Sequence, residues 1–284
     1  MKKIIQRLFI FFIGIPALIA LVVFLPAFNH LCLNIIVVIV SSLGAMEFQN
    51  ILKQKNLVIS PPKAVILGGL IPALTTAAVC FSLSIPFILL IFMLFISWFV
   101  LSGVFSSPEK QESYITRIAA GFSVMIYPGL FLSWIIPMAI LPRPGFIITF
   151  FLLIVFLNDS AAWVAGMLFG KGNRGLIPAS PNKSIAGFIA GIFASLITGI
   201  TGAYFFPSAF ESHFFPAIAA GIFLSFFTGL ATILGDLGES VLKRSAGIKD
   251  SGVLMPGRGG ILDSIDSVSL AAPIFYLAYR LLFV

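Results

Sequence analysis

The sequence predicts an all-α, polytopic integral membrane protein with about nine transmembrane helices and a cytoplasmic N-terminus, and three observations carry that reading. Of 284 residues, 60% are hydrophobic and 10% are charged, against about 25% charged in an ordinary soluble domain. The mean hydropathy is +1.13. Apolar runs recur along the whole chain, several reaching the roughly 20 residues that cross about 30 Å of hydrocarbon. These runs are unbroken, as at 85–104. They lack the polar alternation of barrel strands, so helices are what satisfies their backbone in lipid.

The expected spans are 8–28, 31–47, 64–83, 85–105, 116–140, 146–168, 185–206, 215–235 and 267–283. The first lacks a small-residue cleavage pattern before it ends and is read as a retained span. Placing the N-terminus inside puts Lys2, Lys3, Arg7, Lys53, Lys55, Lys63, Lys110, Arg117, Lys171, Arg174, Lys183, Lys243, Arg244, Lys249 and Arg258 on one face, 15 of the 17 basic residues. Only Arg143 and Arg280 fall outside. Such a bias is the positive-inside signature of a cytoplasmic face and by itself says nothing of substrate. Pro128 and Pro137 mark kinks in the fifth span. The chain reads as a single transmembrane domain, 1–284, with no internal repeat.

Several chemistries are excluded early. Cys32 and Cys80 both lie in apolar runs and read as small buried side chains. The two histidines, His30 and His213, fall on the outer face without zinc-ligand spacing. A serine or cysteine hydrolase has no histidine available inside, and basic residues scattered over membrane loops argue against nucleic-acid binding.

Two longer connections, 169–184 and 236–266, fall on the cytoplasmic face, and long loops in compact folds tend to be functional. Asp236, Glu239, Ser240 and Lys243 recur at helical spacing, on one face of a helix leaving the membrane, which Gly247 is placed to end. Asp263 and Asp266, three apart, share a face at the start of the last span. Carboxylates at two helix ends suit a hard cation such as magnesium, which takes a few carboxylates together with substrate phosphates. Between them, Lys249-Asp250-Ser251-Gly252 and Pro256-Gly257-Arg258-Gly259-Gly260 combine cations with glycines whose amides can approach phosphate oxygens. Asn158-Asp159 near the end of an apolar run adds an ionisable group at membrane depth.

These residues resemble the phosphatidate cytidylyltransferases, also called CDP-diacylglycerol synthases. The run Ser240-Val-Leu-Lys243-Arg244, four residues, Lys249-Asp250, then Pro256-Gly257, Gly259-Gly260, Asp263 and Asp266 follows that family's C-terminal signature in order and spacing. Phe169-Gly170-Lys171 through Ser180-Pro181-Asn182-Lys183-Ser184 looks like its second hallmark, and Arg7 and Glu47-Phe48 look similar near the N-terminus. Arg258 stands where the family has His, Ser264 where it has Arg, and Ala186 where an acidic residue or glutamine is common.

The resemblance implies transfer of a cytidylyl group from CTP to phosphatidate with magnesium, at the cytoplasmic face of the inner membrane. It implies Asp236, Asp263 and Asp266 as metal ligands, and Lys243, Lys249, Asp250 and Asp263 as catalytic groups. Asp159, Ser180, Lys183, Ser240, Arg244, Arg258, Gly259 and Gly260 would contact substrate. The partners are CTP, phosphatidate and membrane lipid, with no nucleic acid and with a homodimer left open. A CTP-dependent polyprenol or dolichol-type kinase is the alternative enzyme, and a transporter or non-catalytic relative the alternative class.

Overall fold

In a computed structural model of the chain, residues 10–104, 107, 111–255, 257 and 259–284 are described. Arg7, Pro256 and Arg258 lie outside them. The described residues form helices and no named strand: α1 Ile15–Phe24, α2 Ala27–Lys53, α3 Pro61–Phe81, α4 Ile85–Leu101, a broken α5 over Tyr114–Ile140, α6 Pro144–Phe169, α7 Ile185–Phe205, α8 Ala217–Ser245 and α9 Leu262–Phe283. Seven are long and apolar enough to cross a membrane, the exceptions being α1 and the 17-residue α4. Among the described residues the nine expected spans thus correspond to nine helices, two of them short.

The chain packs as two compact units, 1–140 with 246–264, and 141–245 with 265–284. Each draws on separated stretches of chain, which a linear hydropathy pattern does not reveal.

In the first unit α2 and α3 meet backbone to backbone. A Cβ on Gly68 would stand 2.2 Å from that of Ala45, and one on Gly69 2.3 Å from Ser42 Oγ. Small residues at such crossings let helices associate where lipid offers no hydrophobic drive between them. Ser41, buried at the crossing, places its hydroxyl 2.7 Å from the Gly68 carbonyl and 2.9 Å from that of Pro128. Pro128 breaks α5 as expected. Lacking an N–H, it sits in a π-helical segment, Met125–Leu130, and Pro137 in a 3₁₀ turn, Ile136–Ile140, both being ways to absorb a proline inside a span. At the start of α2, Phe28, Asn29 and His30 take left-handed φ values of 50°, 53° and 58°, each costing about 1–2 kcal/mol. The Asn29 amide donates to the Val79 carbonyl (2.7 Å), and the Asn34 amide to the Asn29 carbonyl (3.0 Å), which hold the turn.

In the second unit α6, α7 and α8 are knotted at Asn158. Its buried amide donates to Ser195 Oγ (2.9 Å) and to the Gly229 carbonyl (3.3 Å). Gly191 and Gly229 make room, since a Cβ at either would fall within 3.0 Å of the Asn158 side chain. The cysteines are free, as expected of residues in apolar runs, but Cys32 is exposed on its helix rather than buried. In a membrane protein an outward helical face meets lipid, so an apolar thiol needs no protein cover.

Gly68→Val forces branched bulk into the α2–α3 crossing, an overpacking that costs about 1–3 kcal/mol. Its melting temperature in detergent is expected to fall by several degrees relative to Gly238→Ala, where the added methyl meets no atom within 4 Å. Equal melting of the two variants would remove the crossing from this account.

Candidate functional site

The polar residues singled out in the sequence divide between the two units. In the second, α8 carries Asp236, Glu239, Ser240 and Lys243 along one side of its last turns, as their spacing predicts, and Glu239 is fully buried. Glu239 and Lys243 form an i,i+4 ion pair, the favoured order along a helix. Gly235 positions Asp236. A Cβ there would lie 2.5 Å from the Asp266 carbonyl and 3.2 Å from Leu270 Cβ, so glycine alone lets α8 close on α9 one residue before the carboxylate. Asp266 is buried, its Oδ1 accepting from the Ser267 amide at 2.6 Å. Asp236, Glu239 and Asp159 are the carboxylates close enough to act on it electrostatically. Asp159 is brought in from α6, where its neighbour Asn158 ties that helix to α7 and α8. Ser267 Oγ then donates to Asp159 Oδ1 at 3.2 Å.

The connection between α6 and α7 folds onto this cluster. It is closed by the Ile185 amide donating to the Asn173 carbonyl (3.1 Å) and by Arg174 donating to the Gly166 carbonyl (2.7 Å). Ser180 opens the turn that leads to Lys183, whose amide donates to the Ser180 carbonyl. The Lys183 ammonium pairs with Asp236, and Arg244 Nε donates to the Ala179 carbonyl at 3.3 Å. Asp159, Ser180, Lys183, Asp236, Ser240, Lys243, Arg244 and Asp266 therefore lie in one unit.

Lys249, Asp250, Gly259, Gly260 and Asp263 belong to the first unit, where they build a wrapped loop. Gly247 has φ +72° just beyond the end of α8, the left-handed conformation that terminates helices. Lys249 and Asp250 follow, exposed. Asp263 Oδ2 accepts from the Ser251 amide (3.0 Å), the Ser251 hydroxyl (2.9 Å) and the Gly260 amide (2.7 Å). A paired exchange between Met255 and Gly259 closes the turn. Glu47, buried in α2, is the second anchor: its Oε2 accepts from the Leu262 amide (2.9 Å) and lies 3.1 Å from Ser251 Oγ.

The glycines serve this wrapping. A Cβ on Gly252 or Gly260 would come within 2.3 Å of a Glu47 oxygen, and one on Gly259 within 2.6 Å of Asp263 Oδ2. The expectation that the amides of Gly259 and Gly260 face phosphate meets a different use of them. They donate to the Met255 carbonyl and to Asp263. Glu47 received no role from sequence reasoning, where it entered only with Phe48 as part of the family resemblance near the N-terminus.

The carboxylates of Asp159, Asp236 and Asp266 offer hard oxygens, the ligand chemistry magnesium takes. Among the described residues no three His, Cys, Asp or Glu side chains converge as a ready-made cage. Magnesium habitually holds one or two carboxylates and completes its shell with water and phosphate oxygens, so the pair Asp236 and Asp266 fits that manner of binding.

Comparison with known proteins gives a match over residues 5–282 to the cytidylyltransferase family. Proteins named phosphatidate cytidylyltransferase are similar to part of the chain. That of Synechocystis is 38% identical over 130 residues, 44% of this chain and 42% of that protein. That of Haemophilus influenzae is 38% identical over 135 residues, 47% and 46%. One from Staphylococcus aureus is 43% identical over 123 residues, 43% and 44%. The chain thus aligns with less than half the length of each of these relatives.

Glu47→Ala strips the acceptor from two buried donors. Hydrogen exchange at the Leu262 amide, which donates to Glu47, is expected to quicken by roughly tenfold to a hundredfold, equivalent to about 1.4–2.8 kcal/mol, while amides of α6 and α7 keep their protection. Uniform acceleration across the chain would mean that Glu47 supports global stability and not this loop.

Proposed function

The chain belongs to the cytidylyltransferase family, and we propose that it acts as a membrane phosphatidate cytidylyltransferase, converting CTP and phosphatidate to CDP-diacylglycerol and pyrophosphate. What carries the reading is the family match together with the gathering of Asp159 on α6, Lys183 on the connection between α6 and α7, Asp236 and Lys243 on the last turns of α8, and Asp266 in the first turns of α9.

In this reaction a phosphatidate oxygen attacks the α-phosphorus of CTP. The bond to the bridging oxygen breaks, and pyrophosphate leaves with that electron pair. The attacking oxygen is already ionised near neutral pH, so no base is required and the protein's work is alignment and charge neutralisation. Lys183 and Lys243, each paired with a carboxylate in the resting site, are cations that incoming phosphate oxygens can recruit. Ser180 and Ser240 border them, and Arg244 braces the loop that carries Ser180. Asp236 and Asp266 are the carboxylates assigned to magnesium, which when bound supplies positive charge to the nucleotide phosphates. Asp263 shapes the wrapped loop through Oδ2, and its assignment as a metal ligand rests on the sequence resemblance alone. Lys249 and Asp250, exposed on that loop, are assigned to substrate on the same basis. The proposed setting is the inner membrane with this site on the cytoplasmic side, supported by 15 of 17 basic residues falling on that face.

Label followed from CTP tests the proposal directly. With the α-phosphate labelled, purified protein, phosphatidate and magnesium are expected to yield labelled lipid, and chelation to stop the transfer. Label arriving from the γ-phosphate would establish a lipid kinase instead. Asp236→Asn keeps the size of the side chain and removes its charge. Its turnover is expected to drop by roughly a hundredfold or more with an unchanged melting temperature, and full turnover would remove Asp236 from the site.

A further inference from the structure

The first unit contains a cavity that the proposed reaction does not use. It measures about 430 Å³ and lies where the end of α2, the start of α3, the end of α4 and the start of α5 meet, four helix ends on the lysine-rich face. Its described lining carries three cations, Lys53, Lys63 and Arg117, and no carboxylate. Lys53 and Lys63 are exposed and form no ion pair among the described residues. Arg117 lies over the Tyr114 ring, 5.2 Å from its centroid, which fixes the guanidinium at the wall. Ser60, the N-cap of the 21-residue α3, also lines the cavity and makes no capping bond with its side chain, so the positive end of a long helix adds to the cations. Gln49 supplies an independent signal. It is 2% exposed, lines the cavity, and its amide oxygen lacks a hydrogen-bond partner, a condition that costs free energy unless a ligand supplies a donor. Phe99 and Ile118 make the wall apolar on one side, and Trp98 and Leu101 beside it on α4 are more than half exposed, as expected of a lipid-facing surface.

Cations, a buried amide acceptor and an apolar flank leading to lipid describe one class of ligand. We infer that this cavity is a binding site for the headgroup of an anionic phospholipid, its phosphate held by Lys53, Lys63 and Arg117, a headgroup hydroxyl donating to Gln49, and its acyl chains lying along α4. The volume is in the range of small-molecule sites, roughly 300–1,000 Å³, and suits a phosphoglycerol group. The inference needs the cavity and a surrounding membrane, and stands whether or not the chain transfers cytidylyl groups.

The test is lipid titration of the detergent-solubilised full chain, read by native mass spectrometry as bound lipids per chain. Probes are phosphatidylglycerol, phosphatidylcholine and inorganic phosphate, with no nucleotide present. The inference expects a tight phosphatidylglycerol adduct that phosphatidylcholine does not form and that millimolar inorganic phosphate does not displace. Lys53→Gln with Lys63→Gln should weaken it by roughly thirtyfold, given about 1 kcal/mol per cation near an anionic lipid. Lys55→Gln, a neighbouring surface lysine outside the cavity, should leave it unchanged. Gln49→Leu should narrow the preference for phosphatidylglycerol over a headgroup without hydroxyls. Equal weakening by Lys55→Gln would reduce the effect to general surface charge. Displacement by inorganic phosphate would make this a free-anion site, and undiminished binding in the double lysine variant would place the lipid elsewhere; each result overturns the inference.

Discussion

Contact between helix backbones, which a side chain larger than a hydrogen atom would prevent, is the constraint from which the other features follow. In hydrocarbon, helices gain little from burying apolar surface against one another, so close approach and short polar bonds must hold them. Gly68 against Ala45 and Gly199 against Gly221 are such approaches, one in each unit. Gly235 is a third, and there the approach also has a chemical effect, because the helices touch beside the carboxylates they carry. The Gly235 crossing sets how near Asp236 and Asp266 lie without either side chain having to hold the other.

Buried polar groups reinforce the same crossings and are thereby placed for chemistry. Asn158 ties three helices and, as the residue before Asp159, sets the orientation of an acid at membrane depth. Ser41 bridges the carbonyls of Gly68 and Pro128, one of them on the helix turn that proline has disrupted. A helix free of such ties could rotate about its axis at little cost, and a site assembled from three helices requires that it does not.

How much of this was legible in the sequence depended on the range of the interaction. Helical spacing placed Asp236, Glu239 and Lys243 on one side of α8, and the left-handed preference of glycine placed the helix end near Gly247, because both are matters of a few residues. Prolines 128 and 137 announced the break in α5. The helix α2 continues to Lys53, six residues beyond the edge of the expected apolar span, and there Glu47 and Gln49 lower the local hydropathy although both are buried. The wrapped loop was beyond reach for a related reason. A glycine beside cations reads as a phosphate cradle, and only the fold shows that the Gly260 amide turns toward Asp263 and that Gly252 and Gly260 are small to admit Glu47. Membership of two units was equally hidden, as residues 246–264 pack with the first half of the chain although they lie next to the last span.

The Glu47 anchor also bears on how the protein is made. Its partners Ser251 and Leu262 follow it by 204 and 215 residues, and at ribosomal speeds of about 5–20 residues per second they are synthesised roughly ten to forty seconds later. During that interval a carboxylate waits in a newly inserted helix without the amide and hydroxyl that will finally satisfy it, at a cost any chaperone or insertase handling the chain must absorb. The loop bearing Asp263 takes shape only once Leu262 has been made, so ribosomes that stall before α9 leave chains in which that loop has not formed.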